Sequence, residues 1–249
     1  MQKSCYHKTT AGVIHYIRRK GYGVTIVAIH GVGSNHTVWK KALSGFKNPL
    51  VMVDLHGHGK TTNPWTSMNI IVRDIRDVLA KEKIRRPILI GNSLGSSIAV
   101  MLSKHVKIEK LILIGPFFYD VIHKVKYIRP MLSALSKVSV QNPLRKFVDY
   151  SKEKARNSML YPFIDLQGTS FSTWMAGAAA TMEVRLADVS KKTPTLVIFG
   201  TKDRYLAQGF LEHQLKDINA SAIGIDCDHL VLYHKPKEIS NILKSFLSR

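Results

Sequence analysis

The feature that most restricts the fold of this chain is a series of short runs that are apolar throughout, without the alternation of a half-buried strand. Val24–Ile29, Leu50–Asp54, Pro87–Gly91, Leu111–Gly115 and Thr195–Gly200 are such runs, and Ala220–Ile225 is a weaker one. Strands of this composition need apolar cover on both faces, which a parallel sheet between two layers of helices provides. Several runs end in glycine, where the chain can turn sharply. Helical patterns lie between them. Met68–Lys83 places Ile71, Ile75, Val78 and Leu79 on one face and Arg73, Asp74, Arg76, Asp77 and Lys81 elsewhere. Leu94–Ser103 carries no charge and reads as a buried helix. Lys235–Leu247 is amphipathic, with Pro236 near its start. This alternation predicts an α/β fold, a mostly parallel central sheet flanked by helices and joined by right-handed crossovers.

The rhythm breaks between Pro116 and Thr193. No strong strand signal appears there, and the sequence is helical in character, punctuated by Pro130, Pro143 and Pro162. The expectation is a helical insertion over 116–193, with 1–115 and 194–249 forming one core. A chain of 249 residues, 45% hydrophobic and 22% charged, can bury a substantial core. Its composition excludes disordered, collagen-like and coiled-coil chains.

Charge is lopsided: 37 Lys+Arg against 17 Asp+Glu leave +20. The basic residues recur in small groups, Arg18-Arg19-Lys20, Lys40-Lys41, Arg85-Arg86 and Lys191-Lys192, with no long basic block and no nucleic-acid module. They read as solubility charge, so no nucleic-acid partner is expected, while transient contact with an anionic membrane surface stays open. Cys5 and Cys227 are too few for a disulfide scaffold and read as free thiols of a reducing compartment. Near the start, Thr9–Ile17 contains His15 and Tyr16 and runs into three basic residues, unlike the apolar core of a signal peptide. The uncharged runs Pro87–Ser103 and Leu166–Met182 fall short of the roughly 20 residues of a spanning helix. The expected location is cytoplasmic. Oligomeric state leaves no signature.

The strongest chemical signal is Gly91-Asn92-Ser93-Leu94-Gly95, a G-x-S-x-G pattern between a strand and a helix. Such a turn presents the serine hydroxyl at a helix N-terminus, whose dipole favours developing negative charge. With this motif the sequence resembles the α/β-hydrolase superfamily over most of the chain outside the insertion. That family orders its catalytic residues Ser, acid, His. Asp203 follows the strand Thr195–Gly200, and His229 follows the last strand. Asp120, after the strand ending at Gly115, is a rival acid, and His234 is a rival base. The resemblance implies Ser93 as nucleophile, His229 as general base and Asp203 as the residue that orients it. It also implies that the insertion is a cap, or lid.

His30-Gly31-Val32-Gly33-Ser34 resembles the family's H-G oxyanion loop. The resemblance implies backbone N–H donors at Val32 and Leu94, with Gly33 an alternative to Val32, and gives His30 the job of holding the loop. Asp54-Leu55-His56-Gly57-His58-Gly59-Lys60-Thr61 resembles the family's D-x-x-G-x-G-x-S segment, with Thr61 where Ser is usual. A phosphate-binding loop would need glycine where Asp54 stands. His56 and His58 lack a third ligand at zinc spacing. No metal or organic cofactor is implied. In the insertion Phe117-Phe118-Tyr119, Met131-Leu132, Met159-Leu160-Tyr161, Phe171, Trp174 and Met175 divide between packing onto the core and lining an acyl pocket. The expected function is a serine hydrolase, a carboxylesterase or lipase-like enzyme that cleaves a small-molecule ester through an acyl-enzyme. The same residues could serve thioester, amide or C–C substrates. A non-catalytic binding module for anionic partners is the remote alternative.

Overall fold

In the middle of the sheet, successive side chains leave on opposite faces, and both faces are covered. The computed structural model describes residues 2–119, 125–137, 169–204, 206, 215, 218 and 220–248. Its strands are β1 (Gln2–Thr9), β2 (Gly12–Arg19), β3 (Ile26–Ile29), β4 (Leu50–Val53), β5 (Ile88–Asn92), β6 (Lys110–Ile114), β7 (Thr195–Gly200) and β8 (Ala220–Ile225). Its helices are α1 (Trp39–Ala42), α2 (Met68–Lys81), α3 (Leu94–Ser103), α4 (Val125–Leu135), α5 (Phe171–Thr181), α6 (Val231–His234) and α7 (Pro236–Leu247).

Val27, Ile29, Val51, Leu89, Leu111 and Val197 point into one core cluster with α2 and α3. Their neighbours Ile26, Ala28, Met52, Ile90, Ile112 and Leu196 point into a second cluster with α1, α6 and α7. This period of two, with both sets apolar, is why the runs lack alternation in sequence. Each fully buried aliphatic side chain here contributes about 1.5–3 kcal/mol relative to exposure.

Among the described residues the sheet has eight strands, in the order β1-β2-β4-β3-β5-β6-β7-β8. The pairs from β4 through β3, β5, β6 and β7 to β8 are parallel. The β1–β2 and β2–β4 pairs are antiparallel. The parallel part carries the C-terminal ends of β3, β5, β7 and β8 to one edge, where the loops after them meet.

The β1–β2 hairpin is an addition to the expected architecture. Its register runs from Gln2 opposite Arg19 to Thr9 opposite Gly12. β1 is an edge strand, largely exposed and polar, so a search for wholly apolar runs passes over it. Between residues 116 and 193, α4, which holds Pro130 in its interior, packs against α5, and α5 packs against α3. Pro143 and Pro162 lie outside the described residues. No helix among the described residues is long and apolar enough to cross a membrane.

Candidate active site

Ser93 stands on the turn between β5 and α3 at φ +50°, ψ −115°, a conformation that residues with a side chain rarely adopt. The turn is tied down: Ser93 N–H donates to the Ile114 carbonyl at 2.8 Å and Ser96 N–H to the Ser93 carbonyl at 2.8 Å. The Asn92 side-chain amide also donates to the Ile114 carbonyl, at 3.2 Å. The two glycines are dictated by crowding. A Cβ at Gly91 would run into the backbone of Gly95 and Ser96, and one at Gly95 into the carbonyls of Ile29 and His30. The motif is therefore the sequence of a turn through which two backbone segments pass at close range.

Asp203 and His229 arrive on adjacent loops stitched together by backbone bonds. Thr201 N–H donates to the Ile225 carbonyl at 2.8 Å, and Lys202 N–H to the Cys227 carbonyl at 2.9 Å. Gly200 passes so close to the carbonyls of Cys227 and Asp228 that no Cβ fits. His229 Nδ1 consequently lies 2.7 Å from Asp203 Oδ2, and His229 Nε2 lies 3.2 Å from Ser93 Oγ. A carboxylate only accepts, so Nδ1 carries the ring proton and Nε2 is left to accept the serine hydroxyl. The Asp203 side chain is shut off from solvent, while 21% of the His229 side chain is exposed, so a reactant can reach the ring. Phe117 meets the imidazole edge-on, with ring centroids 5.6 Å apart.

The structure thus brings Ser93, His229 and Asp203 together. His234 ends α6, exposed, and is no part of this line. Asp120 lies outside the described residues.

The loop after β3 lies beside Ser93. Among the described residues neither the Val32 nor the Leu94 N–H has an acceptor. The Gly33 N–H is engaged, donating to His58 Nε2 at 3.0 Å. Tyr233 from α6 anchors the loop by donating to Ser34 Oγ at 2.7 Å. His30 Nδ1–H donates to the Gly31 carbonyl at 2.7 Å, and Nε2 accepts the Leu55 N–H at 3.0 Å. Burial pushes the His30 pKa down to about 4, so the ring is neutral at pH 7 and holds two loops together.

Asp54 is the hub of the second loop. Its Oδ1 accepts from the His36 N–H at 2.7 Å and from His36 Nδ1 at 2.8 Å. Its Oδ2 accepts from His15 Nδ1 at 2.7 Å and from the Lys60 N–H at 3.0 Å. Burial alone would raise this carboxyl's pKa. Hydrogen bonds from His15 and His36 outweigh it and hold the group far below the usual carboxylate range. Thr61 donates its hydroxyl to the Asp54 carbonyl at 2.6 Å, a bond that a serine could equally make.

His15, His36 and Asp54 lie close enough together to invite a metal reading. Their N···O separations of 2.7 and 2.8 Å argue for protons instead. Ligand atoms of a tetrahedral site with bonds near 2.0–2.1 Å stand about 3.3 Å apart. His56 and His58 do not converge on a common point: His56 faces Thr66 and Asp74, each at 3.1 Å, while His58 faces Gly33.

Helix α5 rests on this assembly. A Cβ at Gly177 would lie 3.0 Å from Val32 Cγ2 and 3.3 Å from Leu94 Cδ2, so only glycine allows the helix this close without a shift. A cavity of about 610 Å³ opens between residues 57–65 and the first turns of α5, with Lys60, Trp65, Ser170 and Thr173 in its wall. The apolar residues expected to divide between packing and pocket lining do split. Phe117 faces His229. Phe118 and Met175 are buried, whereas Tyr119, Met131 and Phe171 are exposed. Met159, Leu160 and Tyr161 lie outside the described residues. Sequence reasoning weighed His58 only as a metal ligand, missing its bond to Gly33, and did not single out Tyr233. The only signal for His58 was its place between two glycines.

Three known proteins are similar over nearly the whole chain. An AB hydrolase superfamily protein, YisY of Bacillus subtilis, is 25% identical over 97% of this chain and 98% of its own length. The pimeloyl-[acyl-carrier protein] methyl ester esterase of Wigglesworthia glossinidia brevipalpis is 25% identical over 91% of this chain and 94% of its own. The crystal structure of the enol-lactonase from Burkholderia xenovorans LB400 superposes with a TM-score of 0.78 at 19% identity, covering 98% of this chain and 100% of that one. The model of the Alpha/beta hydrolase family matches residues 26–242, a span that holds the serine turn, both stitched loops and the clasped loops after β3 and β4, and the chain belongs to that family.

Proposed function

We propose that the protein is a serine hydrolase that cleaves carboxylic esters of small-molecule substrates through an acyl-enzyme. The observation that carries this reading is the hydrogen-bonded line from Ser93 Oγ through His229 to Asp203. Ser93 Oγ attacks the ester carbonyl as His229 Nε2 takes its proton. The buried Asp203 carboxylate holds the imidazole tautomer and stabilises the imidazolium. The N–H groups of Val32 and Leu94, with no acceptor among the described residues, bind the tetrahedral oxyanion. His229 returns the proton to the leaving alkoxide, and the alcohol departs. Water, deprotonated by the same ring, then releases the acid and regenerates the serine.

Residues 116–193 act in this reading as a cap, with α5 seated on Val32 and Leu94 and Phe117 walling the imidazole. The names of the methyl ester esterase and the enol-lactonase both denote attack on a carboxylic ester, which favours this bond over an amide or a C–C bond.

The test is a fluorophosphonate probe, with the labelled residue mapped by mass spectrometry. Labelling at Ser93 that disappears in His229→Ala is the expected result. Ser93→Ala, purified away from host esterases, is expected to lose turnover of esters. Undiminished ester hydrolysis by that variant would overturn the proposal. Thioester and amide substrates run beside the esters rank the three bonds directly.

A further inference from the structure

The loops after β3 and β4 are clasped by two histidines in reciprocal fashion. His30, on the first loop, accepts the Leu55 N–H of the second at 3.0 Å. His58, on the second, accepts the Gly33 N–H of the first at 3.0 Å. The other nitrogen of each ring donates within its own loop, His30 to the Gly31 carbonyl and His58 to the His56 carbonyl, both at 2.7 Å. Carbonyls only accept and backbone N–H groups only donate, so both rings are neutral with the proton on Nδ1. The two buried rings lie with centroids 5.2 Å apart, their planes tilted by 58°.

We infer that His58 is a positioning residue for the oxyanion loop: by holding the Gly33 N–H it fixes the Val32–Gly33 peptide, so that of these two neighbouring N–H groups only that of Val32 is left for an oxyanion. The inference rests on the function proposed above. An oxyanion donor must be empty before the reaction and correctly aimed during it. A loop with two adjacent free N–H groups could offer either, and a buried N–H without an acceptor would pull the loop toward one. His58 removes that freedom.

Its own placement is rigid. The His58 N–H donates to the Leu55 carbonyl at 3.0 Å, and its carbonyl accepts the Thr61 N–H at 3.2 Å. Gly57 and Gly59, at φ +74° and +54°, allow the sharp turns on either side. Trp65 packs edge-on against the ring at 6.5 Å. The Asp54 network, which meets no reacting atom, is in this view the mount for one imidazole.

Two substitutions separate the clasp from ordinary packing. In His58→Gln the side-chain oxygen can reach the place of Nε2 and accept from Gly33. In His58→Asn the shorter amide can replace only the bond to the His56 carbonyl. Kinetics use a p-nitrophenyl ester and a trifluoromethyl ketone, which adds to the serine as a tetrahedral oxyanion. His58→Asn is expected to lower kcat on the order of 100-fold, with KM within about three-fold, and to weaken the ketone in step. His58→Gln is expected to stay within about five-fold of the unmodified protein. Equal kcat for the two variants overturns the inference, as does a change confined to KM.

A measurement on the unmodified protein stands even if His58→Asn does not fold. In amide hydrogen exchange, Gly33 should be protected with and without the ketone, and Val32 only with it. A Gly33 amide whose protection first appears with the ketone overturns the inference. Ser93→Ala in the same series keeps the two levels apart. If it still turns over ester, the proposed function falls and takes this inference with it. If it is inactive while His58→Asn matches the unmodified protein, the inference alone falls.

Discussion

His229 meets Asp203 at 2.7 Å because the loops carrying them are already joined upstream, at Thr201–Ile225 and Lys202–Cys227. The contact is thus imposed by backbone, not sought by two flexible side chains. Asp203→Asn should leave the loops in place while offering Nδ1 an ambiguous partner and favouring the wrong tautomer. The expected outcome is a kcat lower by about 10⁴ with little change in thermal unfolding. Steady-state ester hydrolysis beside a melting curve checks both halves.

Ser93 holds a backbone conformation that suits glycine, at a cost on the order of 1–3 kcal/mol. Ser93→Gly should relieve it, giving an inactive protein more stable by about 1 kcal/mol or more. Ser93→Ala should be equally inactive without the gain, since alanine keeps the strain. Urea unfolding of the three proteins side by side decides the matter. A Ser93→Gly variant less stable than Ser93→Ala would contradict the strain argument.

His30 makes stability depend on pH. Its folded pKa, about 4, lies below the ordinary 6.5, so the unfolded chain binds more protons between those values. The contribution is complete above about pH 6.5, declines as the pH falls through this window, and is exhausted near pH 4. Its full size is about 3 kcal/mol. His30→Gln should be less stable at pH 8 and show a shallower decline between pH 6.5 and 4. Unfolding free energies at several pH values across that range provide the check.

Two glycines make a matched pair. Gly95→Ala forces a methyl group into the carbonyls of Ile29 and His30, neither of which can move without shifting β3. The expected cost is about 4 kcal/mol or more, or no folded protein at all. Gly45→Ala meets only the end of the Lys244 side chain, at 3.0 Å, and Lys244 can swing away. It should fall within about 0.5 kcal/mol of the unmodified protein. Thermal melts distinguish the two.

What could be read in the sequence follows from how each element is buried. β5 and β6 are covered on both faces, so their apolar runs stand out, and their ends fall within a residue of those expected. That Ser93, Asp203 and His229 would share one site was legible because each follows a parallel strand ending at the same edge. The β1–β2 hairpin was hidden for the opposite reason. Tyr6 is exposed, and β2 buries an imidazole, His15, against Asp54 where an aliphatic would have signalled a strand. The clasp was illegible for a third reason. His58 and Gly33 are 25 residues apart on different loops, and no local pattern records that they touch.

Ser93 and His229 are separated by 136 residues of sequence. During synthesis the serine turn emerges long before His229, the base of the proposed mechanism, and β6, β7 and β8 must be added in succession outward from β5 in between. A nascent chain holding the complete G-x-S-x-G turn therefore carries an ordinary, unactivated alcohol. No product truncated before residue 229 can act on an ester by this route. On the proposed mechanism, turnover doubles as a report that the last strand has docked.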